Sequence, residues 1–175
     1  MSEPAPAPPS HCPECGAPSV NGLSCWETLG ALLAWEYDDP ELIAEHFLTV
    51  ACYNLQHPAQ FTAATLAGLQ AVFIERVDHG LDIAEIRRRV GKAAAGATRV
   101  LKPQADRQPV PRQWPMTITD VYLPAQPKGA AARVRAWAVV IRRAITPAET
   151  ARSAAATPDR DRASREWHSD SMGFR

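Results

Sequence analysis

Three cysteines fall within fourteen residues near the start of the chain: Cys12 and Cys15 in the run Cys-Pro-Glu-Cys-Gly, and then Cys25. A C-x-x-C turn brings two sulfurs close enough to share one ion, and Gly16 tolerates the backbone turn that aims amides at those sulfurs. Cys25 stands where a helix is expected to begin, and the positive end of a helix dipole favours thiolate over thiol. Three thiolates in one place suit zinc, which takes sulfur and imidazole nitrogen in a tetrahedron. A thioredoxin-like redox pair is the competing reading, but it requires a preceding strand and a βαβ context that this sequence lacks.

A fourth ligand depends on the elements that follow. Ser24 is placed as a helix cap, and Trp26, Leu29, Leu33 and Tyr37 recur at helical spacing, which predicts a first helix from Cys25 to about Tyr37. Asp38 or Asp39 then offers a second cap and Pro40 suits the first helical position, so a second helix is predicted from Glu41 to about Gln56. So short a connection folds the two into an antiparallel hairpin. With the turn centred near Asp38 or Asp39, residue 52 or 53 stands level with Cys25. His57, just past the helix end and before Pro58, is the preferred fourth ligand because its ring can swing back to the knuckle. Cys52 is the alternative, although among apolar neighbours it also reads as a small buried side chain. His11 is a further option because it adjoins Cys12. The zinc set expected is therefore Cys12, Cys15, Cys25 and His57, with Cys52 in reserve.

Ile43, His46, Val50, Tyr53 and His57 share one stripe at spacings of three and four. His46 falls level with about residue 31, too far along the axis for Cys25 at about 1.5 Å per residue. With Glu36 or Glu27 it could form a second metal or acid/base site in a helical bundle. The plainer reading, a histidine bonded to a carboxylate or hydroxyl, is preferred because a catalytic bundle site needs three convergent ligands.

The rest of the chain completes a mainly α fold, a bundle of about five helices with an N-terminal zinc knuckle. Residues 1–10 are a Pro-Ala leader expected to be disordered. A single domain is expected over 11–145: knuckle 11–25, hairpin 25–57, third and fourth helices 62–95, a Pro-rich linker and turn 103–129, and a last helix 130–145. The third helix buries Leu66, Leu69, Val72, Phe73 and Val77 and stops at Gly80. The fourth carries Ile83, Ile86 and Val90 opposite Arg87, Arg88 and Arg89. Thr119 or Asp120 is expected to cap a short turn, and Val134, Trp137, Ala138 and Ile141 form the stripe of the last helix. Trp26, Trp35 and Trp137 read as core or interface aromatics. Residues 146–175 read as a disordered tail in which Trp167 and Phe174 could dock a partner.

The net charge of zero conceals a division. Residues 1–86 carry twelve Asp or Glu and one basic residue, Arg76, whereas residues 87–175 carry eighteen Lys or Arg against seven acids. Such halves pack on each other, pair between two copies, or leave the basic half for an acidic partner. The first two are preferred. Nucleic acid would use Arg87, Arg88, Arg89, Lys92 and Arg99, yet no aromatic interleaves that run and the knuckle is acidic. No stretch approaches the roughly 18 apolar residues of a membrane span. The N-terminus lacks a secretory pattern, which makes the cytoplasm the expected compartment.

Cys-Pro-Glu-Cys-Gly, Ser-Cys-Trp at 24–26, Ala-Trp-Glu-Tyr-Asp-Asp-Pro at 34–40, His-Phe-Leu-Thr-Val-Ala-Cys-Tyr-Asn-Leu-Gln-His-Pro at 46–58 and Trp-Pro-Met-Thr-Ile-Thr-Asp-Val at 114–121 together resemble a family of uncharacterised bacterial proteins, a domain of unknown function. The resemblance spans about residues 11–145. It implies a small bacterial protein with a zinc-ribbon-like start and brings no activity with it. A structural zinc in an interaction or scaffold module, with a protein partner or self-association, is the preferred function, and catalysis is not expected. The alternatives are a metal-dependent hydrolase or transferase around His46 and His57, and a nucleic-acid-binding protein.

Overall fold

Ser24 starts the first helix as its spacing foretold. The Ser24 backbone N–H donates to Glu27 Oε2 at 2.8 Å, and the Glu27 N–H donates back to Ser24 Oγ at 3.3 Å, the reciprocal arrangement that satisfies two helix-end donors at once. A computed structural model describes residues 10–94 and 99–155, with side chains at all of these except 93–94 and 146–155. The expected leader therefore lies outside it at residues 1–9, and the expected tail at 156–175. The chain divides into two compact units, residues 1–144 and 145–175.

The first unit is helical. It contains α1 (Cys25–Trp35), α2 (Pro40–Ala44), α3 (His46–Gln56), α4 (Ala63–His79), α5 (Ile83–Ala94), α6 (Ile118–Val121) and the start of α7 (Ala130–Ala155), with single 3₁₀ turns at Pro58–Gln60 and Gln104–Asp106. Among the described residues there is no strand, only isolated bridges such as His11 with Pro18 and Phe61 with Leu101. In the second unit α7 continues to Ala155, ten residues past the expected end of the last helix.

The expected second helix is two helices. Asp39 caps α2 by accepting from the amides of Glu41 and Leu42 at 3.0 Å, but at Glu45 the backbone N–H turns to the Leu42 carbonyl at 2.9 Å. This tighter i to i−3 bond interrupts the α ladder. The Glu45 carboxylate, buried, is held by Arg135 at 2.9 Å and Arg76 at 3.6 Å.

The buried face of α1 is Cys25, Thr28, Leu29 and Leu32. The expected stripe was rotated: Trp26 is 66% exposed and Tyr37 93%. On α3 the buried positions are Leu48, Thr49, Ala51, Cys52, Tyr53, Leu55 and Gln56, while Ile43 of α2 and His46 face outward. Only Phe73 of the α4 stripe is fully buried. The stripe of α7 is as expected, with Val134, Trp137, Ala138 and Ile141 all within 1% of complete burial. Thr117, rather than Thr119 or Asp120, caps α6, and Asp120 reaches back to accept from the Thr117 amide at 2.7 Å. Packing joins α3 to α4, α4 to α5 and α1 to α6, the last through Trp35 stacked on Tyr122 with centroids 4.6 Å apart.

The Pro-rich segment is a strap. Its amides at Lys102 and Arg112 donate to the carbonyls of Gln60 and Glu14 at 2.9 and 2.8 Å, and Gln56 of α3 donates its side-chain amide to the Met116 carbonyl at 2.8 Å. Charge complementarity operates in the same unit: Arg142 chelates Asp78 at 2.6–3.0 Å and Arg135 meets Glu45. These pairs join the basic half to the acidic half, the first of the three arrangements the composition allowed. No helix among the described residues is long and apolar enough to cross a membrane.

Candidate metal centre

The knuckle is built by its own backbone. Gly16 donates to the Cys12 carbonyl at 3.0 Å and Cys12 donates to the Ala17 carbonyl at 2.8 Å, with Gly16 at φ +74°, a conformation that costs a residue bearing Cβ. The turn closes Cys12 and Cys15 onto one side. Cys25 enters from the first turn of α1, and His57 enters from the residue that follows α3.

These four side chains converge, with one donor atom from each, all within 4.8 Å of one another. Cys12 Sγ lies 3.3 Å and Cys25 Sγ 3.4 Å from His57 Nε2, and Cys15 Sγ lies 3.6 Å from Cys25 Sγ. Donors around a tetrahedral zinc would be about 3.5–3.8 Å apart, from bond lengths of about 2.3 Å to sulfur and 2.0–2.1 Å to nitrogen. The donor set and its spacing therefore fit such an ion. Cys15, Cys25 and His57 are buried and Cys12 half-buried, and all four cysteines are free of disulfides.

The electrostatics suit a cation. The Cys12 thiol is held far below its ordinary range by hydrogen bonds from Cys15 and Cys25, and the same crowding, Cys12 first, pushes the Cys25 thiol far above it. One thiolate forms readily and makes the next harder to form. Burial opposes charge on His57, yet hydrogen bonds to Cys12 and Cys15 outweigh it and raise the imidazolium to about 10. A divalent ion would take over the role of these protons, since metal binding displaces them.

His57 is oriented before any ion arrives. Its Nδ1–H donates to the Tyr53 carbonyl at 2.6 Å, and its ring stacks on the Tyr53 ring at 3.9 Å. A carbonyl can only accept, so this bond leaves Nε2 as the nitrogen available to a metal, the kind of supporting contact that metal-bound histidines make. Glu14 ties the knuckle to the same region by accepting from the Ala59 amide at 3.0 Å. Sequence reasoning missed the parts played by Tyr53 and Glu14. The four-residue spacing of Tyr53 to His57 was the available signal for one; nothing local marks the other.

The remaining candidates are elsewhere. Cys52 is completely buried and outside the group, with burial pushing its thiol well up. His11 bonds Ser10 at 3.2 Å. His46, its side chain half-exposed, is 2.7 Å from the buried carboxylate of Glu36, the plainer of the two arrangements considered for it. Thus Cys25 meets His57 at one end of α1 and α3 while Glu36 meets His46 at the other, which is the antiparallel hairpin.

One family model, described as a family of unknown function (DUF5946), matches residues 10–146. No curated protein and no solved structure matches the chain.

Proposed function

We propose that this chain, which belongs to that family of unknown function, is a zinc-anchored helical module whose metal is structural and whose role is to present its surface to a protein partner. The supporting observation is the origin of the four donors. They come from a turn, from a helix start and from a helix end 32 residues beyond it, so one ion would cross-link three separate segments of the chain. The ion would be held by Cys12, Cys15, Cys25 and His57, and it would supply a fixed tetrahedral joint and no reaction. Four protein donors leave no position for a water, which catalytic zinc requires.

The magnitudes favour a structural role. Zinc binding in finger peptides is worth about 10–16 kcal/mol, comparable with the roughly 5–15 kcal/mol that stabilises a whole domain. We place the anchored domain at residues 11–145 and the protein in a reducing compartment, the cytoplasm, in keeping with four unpaired cysteines. Elemental analysis of the purified chain should return one zinc per chain. Stripping it with a chelator should lower the melting temperature sharply; an unchanged transition after complete removal would exclude the structural role.

A further inference from the structure

Beside the metal centre, and on the side of the strap, lies a cleft of about 360 Å³. Its wall is aromatic: Trp26, 66% exposed, stands over Tyr53 with centroids 6.1 Å apart, and Tyr53 is itself fixed by the His57 stack. Its rim is charged with both signs, Glu14 from the knuckle and Arg107 from the strap, and Gln60 of the 3₁₀ turn and Pro109 of the strap also line it.

The polar groups are partly committed in a way that positions them. Arg107 spends Nε–H on the Lys102 carbonyl at 3.0 Å, and its two Nη groups make no hydrogen bond or ion pair among the described residues. Glu14 accepts the Ala59 amide on Oε1, which holds the carboxylate while leaving its charge. Each charged group is thus anchored by one atom. A large exposed tryptophan beside a tyrosine and an arginine is the composition of binding hot spots, and the volume lies at the small end for ligand pockets.

We infer that this cleft binds a small zwitterion carrying one planar ring, the chemistry of an aromatic α-amino acid. The ring would lie against Trp26 and Tyr53, the carboxylate would meet Arg107, and the ammonium would meet Glu14. Opposite charges on one rim decide the class. A simple anion would bring its charge beside Glu14, and a simple cation would do so beside Arg107, whereas a zwitterion satisfies both. The inference uses the positions of α1, α3 and the strap and does not depend on which metal fills the centre or on that metal being structural.

The test is calorimetric titration of the full, metal-loaded chain with L-phenylalanine, 3-phenylpropionate and 2-phenylethylamine, with metal content assayed on the same sample. Saturable binding of phenylalanine is expected, with each of the two analogues weaker by about ten-fold, since each lacks one charge-assisted hydrogen bond. Arg107→Gln should abolish the advantage of phenylalanine over phenylethylamine, and Glu14→Gln its advantage over phenylpropionate. A loss through misfolding would not split the three probes in this way. Trp26→Ala should weaken all three together. The inference is overturned if phenylalanine shows no saturable binding up to about 10 mM, if the three probes bind alike, or if both rim variants leave the ranking unchanged. Failure with one metal per chain present sinks the cleft and spares the zinc centre, while a metal-free preparation that binds phenylalanine does the reverse.

Discussion

His57 donates its Nδ1–H to the carbonyl of Tyr53 across 2.6 Å, which leaves Nε2 facing the sulfurs of Cys12 and Cys25. The last turn of α3 thereby selects the tautomer needed to complete a Cys₃His set. The expected consequence is unequal tolerance at this position. His57→Ala should reduce metal affinity by far more than the roughly 10–100-fold typical of losing a supporting contact, whereas His57→Cys should retain metal because sulfur is an equivalent donor. Cys52→Ala should keep one metal per chain and lose only packing, about 1 kcal/mol for a small cavity. Metal content per chain and competition with a chromophoric chelator distinguish the three.

Trp26 and Trp137 read alike in sequence and differ completely in place, at 66% and 0% exposure. Trp137→Ala in α7 should cost about 3–5 kcal/mol, the usual range for emptying an aromatic core position. Trp26→Ala should change stability by no more than about 0.5 kcal/mol, as exposed substitutions do. Denaturant melts of the two variants give both values. A large cost at Trp26 would mean that its ring supports the metal centre rather than facing a cleft.

The sequence contained the ends of helices and the identities of the converging donors more clearly than it contained rotation and register. Ser24, Asp39, Thr62 and Gly80 act through bonds to neighbours within a few residues, so their roles can be read locally. The convergence of Cys12, Cys15, Cys25 and His57 was legible because few residue types serve as metal ligands. The register was misread. A turn centred between residues 38 and 39, or at 39, puts residue 52 or 53 level with Cys25, but the meeting of Cys25 with His57 and of Glu36 with His46 centres it at residue 41. The shift arises because α2 occupies the turn as a separate helix, ended at Glu45. Arg135, ninety residues away, is part of what Glu45 satisfies, and such a partner has no local signature. The rotation of α1 was hidden similarly, since α6 and Tyr122, against which it packs, come from the linker.

Glu45 accordingly stabilises the α2–α3 break through groups that remain partly in water. Arg135 is half-exposed and Arg76 nearly a quarter. Removing the carboxylate therefore leaves arginines that solvent can receive, and Glu45→Gln should cost about 1–2 kcal/mol, less than the roughly 3–5 kcal/mol of stranding a fully buried charge. Arg135→Ala should cost less still, because Arg76 continues to face Glu45. The check is a double-mutant cycle between positions 45 and 135 by urea unfolding. A zero coupling energy would show that the interaction does not hold the break.

Glu36 supplies the pH test. Its carboxylate is buried and one oxygen, Oε1, has no hydrogen-bond partner among the described residues. Burial raises the pKa of the carboxyl, and the His46 hydrogen bond offsets that only in part. The sign follows from linkage: with the folded pKa above the unfolded one, the native state binds the proton more tightly than the unfolded chain. The contribution of Glu36 is then most favourable at acid pH and declines as pH rises through the folded pKa. Glu36→Gln is neutral at every pH and escapes this decline. Its melting temperature relative to the wild type should therefore rise between pH 4 and pH 7.5, and taking the difference cancels the pH dependence that both share through every other titrating group. A difference that falls over this interval would show that His46, not desolvation, dominates the carboxylate.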